Sequence, residues 1–468
     1  MTEEMFLQAV SDVNSCLSDY VLTILLAGIG IFFTFRTRFV QIRCFAEGWK
    51  NAFGKFSLHG NQQKAGLSSF QALTAAIAAQ VGTGNIVGAS GAILTGGPGA
   101  IFWMWVIAFF GMATNYSEAV LAQSTRTTEP DGTHKGGPVY YIRKAFPNAF
   151  GTFLAVFFAV AIIISLGFMG CMVQANSIGE TCQTAFGIPA WAVGIVIAIT
   201  AGLIFIGGVG RLVQVTEKLV PVMAFLYLAG GLFVLITRIQ YIPETFCLII
   251  KYAFTPEALI GGGIGHALKI AISQGVKRGL FSNEAGMGST PHAHAIANVP
   301  TPHVQGTVAM IGVFIDTAIV LTMTALIVIS VLYTGDGPLA QANAANYLSL
   351  LKENNITQTN MVQYAMGLAS NASLGNVFIA VCLLFFAFST ILSWNYFGRI
   401  NFSYLTGNRG ILLYSFIAVC CIFAGTMMKS DLVWALQDMF NQLMVLPNVL
   451  ALIVLSGIVV ESSRAEKK

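Results

Sequence analysis

Polar side chains interrupt the apolar run Ser69–Gly99 at Val81–Asn85, whose sequence is VGTGN. Two glycines within three residues weaken a helix by about 1 kcal/mol each, so the pattern predicts that a helix breaks here. In a membrane, a broken helix persists only where it is buried in protein or lines a cavity, and its freed N–H and C=O groups become ligands for a carboxylate or a small cation. A glycine-rich packing face is the alternative, but the polar Gln80, Thr83 and Asn85 favour a binding site.

A pair of hydroxyl groups lies in another apolar stretch, where Ser389 and Thr390 precede Trp394 by about one helical turn. Such hydroxyls often hydrogen-bond back to the carbonyl four residues earlier. Together with carbonyls from a broken helix, they would also supply the oxygen ligands that a small hard cation uses. This set carries no charge and needs no titrating carboxylate, which favours sodium over a proton.

Three ionisable residues within apolar stretches are functional candidates, because charge is unfavourable in a bilayer. Asp316 and Lys269 lie in different stretches. One hypothesis pairs them across the bundle, and another makes Asp316 a proton relay or a cation ligand. Glu118 lies near the end of a span and is expected to pair with a basic residue in a loop.

A cluster of polar residues near residue 280 is a candidate for the inner gate of the transport path. It combines Asn283 and Glu284 with the basic residues Lys277 and Arg278, which are expected at the inner membrane interface. An amide elsewhere, Gln174 in the sequence GCMVQANSI, has donors and an acceptor and so suits a zwitterion. A hydrogen bond between helices is the alternative explanation of this amide.

The composition identifies a membrane protein. Of 468 residues, 56% are hydrophobic and 9% are charged, against about 25% charged residues in soluble domains. The mean hydropathy is +0.74. The net charge of +4 is spread over short loops and does not indicate nucleic-acid binding. Eight cysteines without a CxxC pair favour neither a disulfide framework nor a zinc site.

Hydropathy predicts an all-α polytopic fold with eleven transmembrane helices, each about 20 or more residues long. The spans are expected near residues 19–35, 66–96, 99–124, 150–180, 189–207, 212–237, 245–282, 304–333, 373–398, 410–428 and 431–460. Lys and Arg concentrate in alternate loops, which places the N-terminus outside and the C-terminus inside a plasma membrane, the inner membrane of a bacterium. The acidic N-terminus lacks the basic region of a cleavable signal peptide.

The spans divide into an extra N-terminal helix and two sets of five with opposite topology, the pattern of inverted-repeat transporters. The units are residues 1–65 (tail, extra helix and basic loop), 66–238 (first repeat), 239–460 (second repeat) and 461–468 (basic tail). The symmetry predicts a break in the first helix of the second repeat as well. Gly261–Gly265 is the main candidate, with a surface loop as the alternative, and Ser273–Gly275 is a second candidate.

Two longer connections remain. Tyr333–Ala372 is expected outside, as a lid or a plain connector. Phe281–Gly306 is expected inside as a loop. Its histidines, together with an upstream one, have the wrong spacing for a compact metal site and are expected to be solvated; they are His266, His292, His294 and His303.

The segments VGTGNIVG, GGPGAIFWMW, GMATNYSEAVLA, GGPVYYI and VKRGLFSNEAGMGSTPHAHA, in this order, resemble the alanine/glycine:cation symporter family. The match runs from Ser69 to His294, with weaker likeness through Phe314–Thr324 and Ser389–Gly398. The resemblance implies a 5+5 inverted repeat of the leucine-transporter type. It also implies sodium- or proton-coupled uptake of small neutral amino acids, chiefly alanine and glycine, with the cation as co-substrate and no cofactor.

The resemblance also implies roles for particular residues. The substrate carboxylate is assigned to Thr83 and Gly84 at a half-helix N-terminus, with Asn85 as a brace, and Gln174 lines the pocket. Trp394 closes the side-chain end and leaves room for a methyl group or a hydrogen atom. The second broken helix contributes Gly263, Ile264 and Gly265. The sodium ligands are the carbonyls of Ala78 and Val81 and the hydroxyls of Ser389 and Thr390.

One position departs from the family pattern. Some members carry an acidic residue seven positions before the threonine of the break, where this chain has Ala76. Any role of that carboxylate is therefore absent or displaced here.

A channel or passive facilitator fits the hydropathy equally well but does not explain a broken helix opposite paired hydroxyls. A membrane enzyme is disfavoured because no catalytic carboxylate pair, HExxH motif or nucleophile elbow is present. The absence of a P-loop disfavours ATP-driven transport. The expected partners are therefore an amino acid and membrane lipid, and the sequence leaves the oligomeric state open.

Overall fold

The computed structural model describes residues 3–16, 23–54, 68–128, 134–255, 264–343, 345–407 and 409–464, and these are mostly α-helical. The first helices are α1 (Glu3–Cys16), α2 (Thr23–Arg36), α3 (Val40–Arg43), α4 (Phe45–Phe53) and α5 (Ser69–Gln80). A π-helical segment, Gly84–Gly88, leads into α6 (Ala89–Gly96), which is followed by α7 (Ala100–Thr125), α8 (Pro138–Ala145) and α9 (Ala149–Ile162). Between α7 and α8, strands β1 (Thr127–Thr128) and β2 (His134–Lys135) pair antiparallel, with Thr127 opposite Lys135.

The middle of the chain continues through a second π-helical segment, Ile163–Gly170, into α10 (Cys171–Phe186), α11 (Ala190–Ile206), α12 (Gly208–Thr237), a 3-10 turn (Ile239–Tyr241) and α13 (Ile242–Phe254). The next helices are α14 (Ile264–Asn283), α15 (Pro291–Ala295) and α16 (Pro302–Val313), then a third π-helical segment (Phe314–Leu321) and α17 (Thr322–Leu332). The chain ends with α18 (Tyr347–Glu353), α19 (Met361–Ala369), α20 (Ala372–Thr406), α21 (Ile411–Met427), α22 (Ser430–Val454) and α23 (Ser456–Arg464).

Six of the described helical stretches are long and apolar enough to cross a membrane, and a bent pair makes a seventh. They are Ala100–Thr125, Ala149–Phe186, Gly210–Thr237, Pro302–Leu332, Ala372–Thr406 and Ser430–Val454, with Ser69–Gln80 and Gly84–Gly96 as the pair. Three shorter apolar helices are α2, α11 and α21. The structure therefore confirms a polytopic helical membrane protein, while the count of eleven spans and the inverted repeat stay predictions.

The exposed apolar surface identifies the helix faces that contact hydrocarbon. Val196, Phe225 and Leu412 on α11, α12 and α21 expose 65%, 72% and 76% of their surface. In contrast, α5 is rich in alanine, and every residue from Ala72 to Gln80 is buried. Small side chains let neighbouring helices approach α5 closely, so this helix lies at the centre of the bundle.

The break that the glycines predict in the first apolar run is present. Helix α5 ends at Gln80, and the two halves of the pair meet at an angle of 48°. Val81 has left the helical region, with φ −82° and ψ 87°. Its carbonyl therefore cannot continue the regular hydrogen-bond ladder of α5.

The break predicted at Gly261–Gly265 stays a prediction, whereas the second candidate, Ser273–Gly275, was wrong. Residues 261–263 lie outside the described residues, and Ser273–Gly275 lies within the uninterrupted α14. The chain instead leaves the helix after Asn283 and resumes it at Pro291. Glu284, Gly286 and Gly288 in this unwound segment have φ of 58°, 85° and 79°, a left-handed backbone that glycine adopts without strain.

The segment around residue 290 is not a solvated loop. His292 and His294 are 0% and 1% exposed. The Asn401 amide lies 2.8 Å from His292 Nε2, and the Gln305 amide lies 2.8 Å from His294 Nδ1. The prediction of solvated histidines was wrong for these two and for His303, which is 6% exposed. Helix α15 folds back into the bundle and packs against α5 and α7.

The long connection between α17 and α20 contains α18 and α19 and packs over the end of α6. The Tyr347 hydroxyl donates to the Leu94 carbonyl (2.9 Å) and lies 3.0 Å from the Tyr333 hydroxyl. A Cβ atom on Gly91 would lie 2.7 Å from the Gln358 side chain. This segment is therefore attached to the second half of the first broken helix.

Candidate functional site

The two unwound segments face each other in the centre of the bundle. A Cβ atom on Gly84 would lie 3.1 Å from Ser282 Cα and 3.2 Å from the Phe281 ring. Only glycine allows this approach without a shift of the neighbouring backbone. The start of the π-helical segment after the first break therefore touches the end of α14, immediately before the second break.

Three polar groups hold the first break open. The Gly82 N–H donates to Asn85 Oδ1 (3.1 Å), and the Thr83 N–H donates to Gln174 Oε1 (3.1 Å) on α10. These bonds satisfy backbone donors that a continuous helix would pair internally. Asn85 in turn donates from Nδ2 to Asp316 Oδ1 (2.7 Å). The break is thus tied to α10 and to the π-helical segment after α16.

Some polar atoms at the break have no hydrogen-bond partner among the residues that the structure describes. They are Thr83 Oγ1, Gln174 Nε2, Gln80 Oε1 and Asn283 Nδ2, all buried. An unpaired buried polar group costs about 1–3 kcal/mol. The site therefore presents donors and acceptors that a polar ligand would satisfy.

Trp394 lies between the second break and the second π-helical segment. Its Nε1 donates to Glu284 Oε1 (2.5 Å), and its ring meets the Phe281 ring edge-on at 5.9 Å. A Cβ atom on Gly170 would lie 2.4 Å from the indole, so glycine makes room for the ring. The indole is 2% exposed and is held in one orientation by these contacts. Glu284 also accepts a hydrogen bond from the Ser289 hydroxyl.

The hydroxyl pair on α20 meets the carbonyl groups of α5. Thr390 Oγ1 donates to the Ala78 carbonyl at 2.9 Å, and Ser389 Oγ lies 3.5 Å from the same oxygen. Both hydroxyls also reach the Phe386 carbonyl on their own helix, at 3.1 Å and 2.8 Å. Each hydroxyl can therefore turn its single proton to the Phe386 carbonyl while its oxygen binds a cation. Val81, whose carbonyl completes the predicted set, is the first residue after α5.

Gly82 links this hydroxyl pair to Gln174. A Cβ atom on Gly82 would lie 2.4 Å from Thr390 Oγ1 and 3.1 Å from Gln174 Oε1. The structure thus brings together Ala78, Thr390 and Gln174 around one two-residue break.

Asp316 bridges the two broken helices, and it does not pair with Lys269. Its carboxylate accepts hydrogen bonds from Asn85, from Ser282 Oγ (3.1 and 3.0 Å) and from Thr317 Oγ1 (2.8 Å). It is 0% exposed, whereas Lys269 is exposed. The proposed pair is therefore wrong, because packing surrounds Asp316 with amide and hydroxyl donors.

Glu118 does not pair with a basic loop residue. It is fully buried and accepts the N–H groups of Gly286 (3.1 Å) and Gly288 (3.0 Å) and the Asn448 amide (2.7 Å). Backbone donors freed by the second break therefore take the place of the predicted base. The carboxylate fastens the unwound segment to α7 and α22.

Lys277 and Arg278 contact neither Asn283 nor Glu284 through their charges. Both form ion pairs with Asp438 on α22, each at 3.1 Å, and Arg278 also lies 5.0 Å above the Trp434 ring. The Asn283 carbonyl accepts the Gln80 amide (2.8 Å) instead. The predicted grouping of these four residues is therefore wrong in its contacts, because more than one helical turn of α14 separates the basic pair from Asn283.

The residues expected at the start of α14 are far from this site. Ile264 and Gly265 are its first residues, and at 1.5 Å per residue they lie roughly 27 Å along the helix from Ser282. Gly263 lies outside the described residues. Ile264 and Gly265 do not reach the first break, because the part of α14 that meets Gly84 is its C-terminal end.

Four residues of the site were not predicted: Ser282, Ser289, Asp438 and Asn448. The spacing Glu284-Ala-Gly286-Met-Gly288 carried a usable signal, because two glycines next to an intramembrane carboxylate indicate unwound backbone. No comparable local pattern marks Asn448.

The fold is similar to that of a solved membrane transporter. The chain superposes with a TM-score of 0.52 on a crystal structure of a variant of the Eremococcus coleocola manganese transporter, at 14% identity. The alignment covers 83% of this chain and 78% of the other.

Sequence comparison gives the family. The model of the sodium:alanine symporter family matches residues 3–466. Sodium/alanine symporter AgcS of Methanococcus maripaludis is 39% identical, over 98% of this chain and 97% of its own length. Amino-acid carrier protein AlsT of Bacillus subtilis is 37% identical, over 94% and 89%. The chain belongs to the sodium:alanine symporter family, so it is a multi-pass membrane transporter and not an enzyme.

Proposed function

We propose that this chain takes up small neutral amino acids, alanine and glycine, together with sodium by alternating access. The observation that carries the proposal is the position of Gly82 between Thr390 and Gln174. A ligand on either side of this two-residue break changes the backbone that the other side contacts. Such an arrangement couples two binding sites without a long pathway.

The substrate carboxylate binds at the first break. Thr83 Oγ1 and Gln174 Nε2 are donors that lack partners among the described residues. The N–H groups of Thr83 and Gly84 lie at the positive end of the following helical segment, which favours an anion. In the present conformation Gln174 Oε1 accepts the Thr83 N–H, so a carboxylate would replace this bond.

The ammonium group binds on the side of the second break. Carbonyl groups released between Asn283 and Thr290 are acceptors for its three N–H donors. Trp394 and Phe281 form an aromatic wall beside Gly84. This wall limits the side chain to a hydrogen atom or a methyl group, because a pocket rejects a larger substrate by overlap with fixed atoms.

Sodium, the co-substrate, binds between α5 and α20. The ligands are the carbonyls of Ala78 and Val81 and the hydroxyls of Ser389 and Thr390. These oxygens suit a hard cation, and with the cation bound both hydroxyls would donate to the Phe386 carbonyl. Sodium at this position fixes the end of α5 and so organises the break for the amino acid, which is reciprocal coupling.

Uptake of radiolabelled alanine into proteoliposomes tests the proposal. An inward sodium gradient is compared with potassium and with a proton gradient. Thr390→Val is measured beside Thr406→Val, a matched control on α20 whose hydroxyl bonds only to its own helix at Phe402. We expect accumulation with sodium alone, lost in Thr390→Val and kept in Thr406→Val.

Other outcomes have defined meanings. Accumulation driven by protons alone would move the coupling to Asp316 or Glu118 and refute the sodium site. Equilibration without accumulation under either gradient would indicate a passive facilitator. Competition by unlabelled glycine, but not by leucine, would support the assignment of the aromatic wall.

A further inference from the structure

A cavity of about 300 Å³ lies where the end of α2 meets the end of α23, remote in sequence from the two breaks. Four of its lining residues are arginines from both ends of the chain. The lining residues are Arg36, Thr37, Arg38, Arg43, Ser463 and Arg464.

The local backbone assembles this cavity. Helix α2 ends at Arg36, and the next turn places Arg38 and Phe39 in the left-handed region with φ of 57° and 56°. Arg43 Nη2 then donates to the Ser463 carbonyl (3.0 Å), which holds α23 against the turn. The cavity is therefore a built feature of the fold that uses strained backbone, and not a chance gap between loops.

The charge of the cavity is of one sign. Four guanidinium groups line it, and no acidic side chain does so among the residues that the structure describes. Positive charge concentrated in one place attracts an anion. Arginine presents paired N–H donors that match the oxygens of a phosphate group.

The surroundings of the cavity are apolar. Phe35, Phe39 and Ile42 expose 64%, 38% and 63% of their surface next to the arginines. Arg36 lies 6.0 Å above the Phe32 ring, which is itself 37% exposed. A soluble phosphate would leave these side chains without contacts, whereas the acyl chains of a lipid would cover them.

The position of the cavity relative to the membrane also favours a lipid over a soluble phosphate. The apolar helix α2 runs directly into Arg36, so the arginines lie where a hydrophobic stretch ends. Basic pockets at such boundaries bind anionic headgroups. The arginines therefore face the headgroup layer, and the exposed aromatic rings face the acyl layer.

We propose that this cavity binds the phosphodiester headgroup of an anionic phospholipid, held by Arg36, Arg38, Arg43 and Arg464. The bound lipid joins α2 to α23, two helices that both pack against α7. It thereby stabilises the contact between the N-terminal and C-terminal ends of the chain. This inference is independent of the proposed substrate and sodium sites.

Thermal unfolding and native mass spectrometry of the purified full-length protein test the proposal. Micelles contain phosphatidylglycerol, phosphatidylcholine or neither, and a fourth sample contains inorganic phosphate without lipid. We expect phosphatidylglycerol to raise the unfolding temperature and to give a retained lipid adduct, with little effect of phosphatidylcholine. The effect should weaken as salt is raised, because exposed charges are screened.

Variants locate the lipid. The double variant Arg36→Gln/Arg464→Gln should retain phosphatidylglycerol at least several-fold less well than the wild type. Arg409→Gln, an exposed arginine that does not line the cavity, should behave as the wild type. The comparison of lipids in the wild type needs no variant, so it decides the question even where the double variant folds poorly.

Three results would overturn the proposal. Equal effects of phosphatidylglycerol and phosphatidylcholine would show that the headgroup charge is not recognised. Unchanged binding by the double variant would place the lipid elsewhere. A full shift by inorganic phosphate alone would make this a soluble-anion site.

Discussion

The two breaks at the centre of this protein are held in different ways. The first break, after Gln80, is fastened by neutral amides, with Gly82 and Thr83 donating to Asn85 and Gln174. The second break, after Asn283, is fastened by buried carboxylates. Glu118 accepts two backbone N–H groups of this segment, and Glu284 accepts the Trp394 indole and a serine hydroxyl.

This difference predicts that the first break rearranges more easily than the second. A hydrogen bond contributes about 0.5–1.5 kcal/mol, whereas a buried group left without its partner costs about 1–3 kcal/mol. The first break can therefore exchange its partners for a substrate, since Thr83 and Gln174 retain unsatisfied atoms. The second break keeps two backbone bonds to Glu118, so we expect it to stay fixed while the first break rearranges.

The largest expected effect is on the second break. Glu118→Leu leaves the N–H groups of Gly286 and Gly288 and the Asn448 amide without an acceptor. Each unpaired buried group costs about 1–3 kcal/mol, so the variant should lose several kcal/mol of stability. Thermal unfolding in detergent micelles should show a large fall in the unfolding temperature.

The matched control for Glu118 is Glu244→Leu, an exposed glutamate at the start of α13, which should change the unfolding temperature little. Glu118→Gln keeps one acceptor oxygen, so its unfolding temperature should lie between those of Glu118→Leu and Glu244→Leu. If Glu118→Leu unfolded like the wild type, the second break would not be held fixed by Glu118.

The next effect concerns the tryptophan that joins the second break to α20. Trp394→Phe keeps an aromatic ring but removes the donor to Glu284, leaving a buried carboxylate with one partner fewer. A buried group that loses its partner costs about 1–3 kcal/mol, so uptake of alanine should fall roughly tenfold. The smaller ring should also admit valine, which competition assays against labelled alanine would detect.

The control for this variant is Trp191→Phe, an indole on the lipid-facing side of α11 that is 51% exposed. It should leave uptake unchanged. Unaltered selectivity in Trp394→Phe would show that the indole does not limit the size of the substrate.

A smaller loss of stability is expected at the first break. Gln174→Leu leaves only the Thr83 N–H unpaired, so it should cost about 1–3 kcal/mol, less than the loss in Glu118→Leu. Its main effect should be a higher KM for alanine, because Gln174 contacts the proposed carboxylate site. Gln183→Leu, an exposed position on the same helix, is the control. If Gln174→Leu lowered the unfolding temperature more than Glu118→Leu does, the first break would be the more firmly held of the two.

The smallest effect is expected outside both breaks. Arg238 Nη1 lies 3.2 Å from Asp336 Oδ1, and this guanidinium holds the pKa of the exposed Asp336 carboxyl below its usual range. A lowered folded-state pKa gives stability that is present above the unfolded-state pKa and is lost as the pH falls through the folded-state value. Unfolding temperatures from neutral to acidic pH should differ only slightly between wild type and Asp336→Asn, because exposed ion pairs contribute little. A large difference would mean that this ion pair contributes to stability as much as the buried bonds of the breaks do.

The sequence could predict the first break because its signal is local. Two glycines interrupt an otherwise apolar run, and their effect on a helix does not depend on distant residues. The second break gave a weaker signal. Its polar sequence after Phe281 matched that of a surface loop, and only the bundle around it makes that polarity internal.

The partners of the buried carboxylates could not be read from the sequence. Glu118 and Gly286 are 168 residues apart, and Glu118 and Asn448 are 330 apart. A carboxylate in an apolar stretch can be paired with a base, with backbone donors or with amides. The sequence around the carboxylate does not distinguish these alternatives. The sequence therefore suggested a base for Glu118 and for Asp316, where the structure supplies neutral donors.

By itself, the sequence determined the membrane class, the position of the first break and the pair of hydroxyls on α20, because composition and short-range spacing fix these features. The tertiary structure decided where the second break falls and which donors meet each buried carboxylate. It also decided that arginines from both ends of the chain line one cavity. Those outcomes depend on which helices pack together, and packing sums many weak contacts that no single stretch of sequence contains.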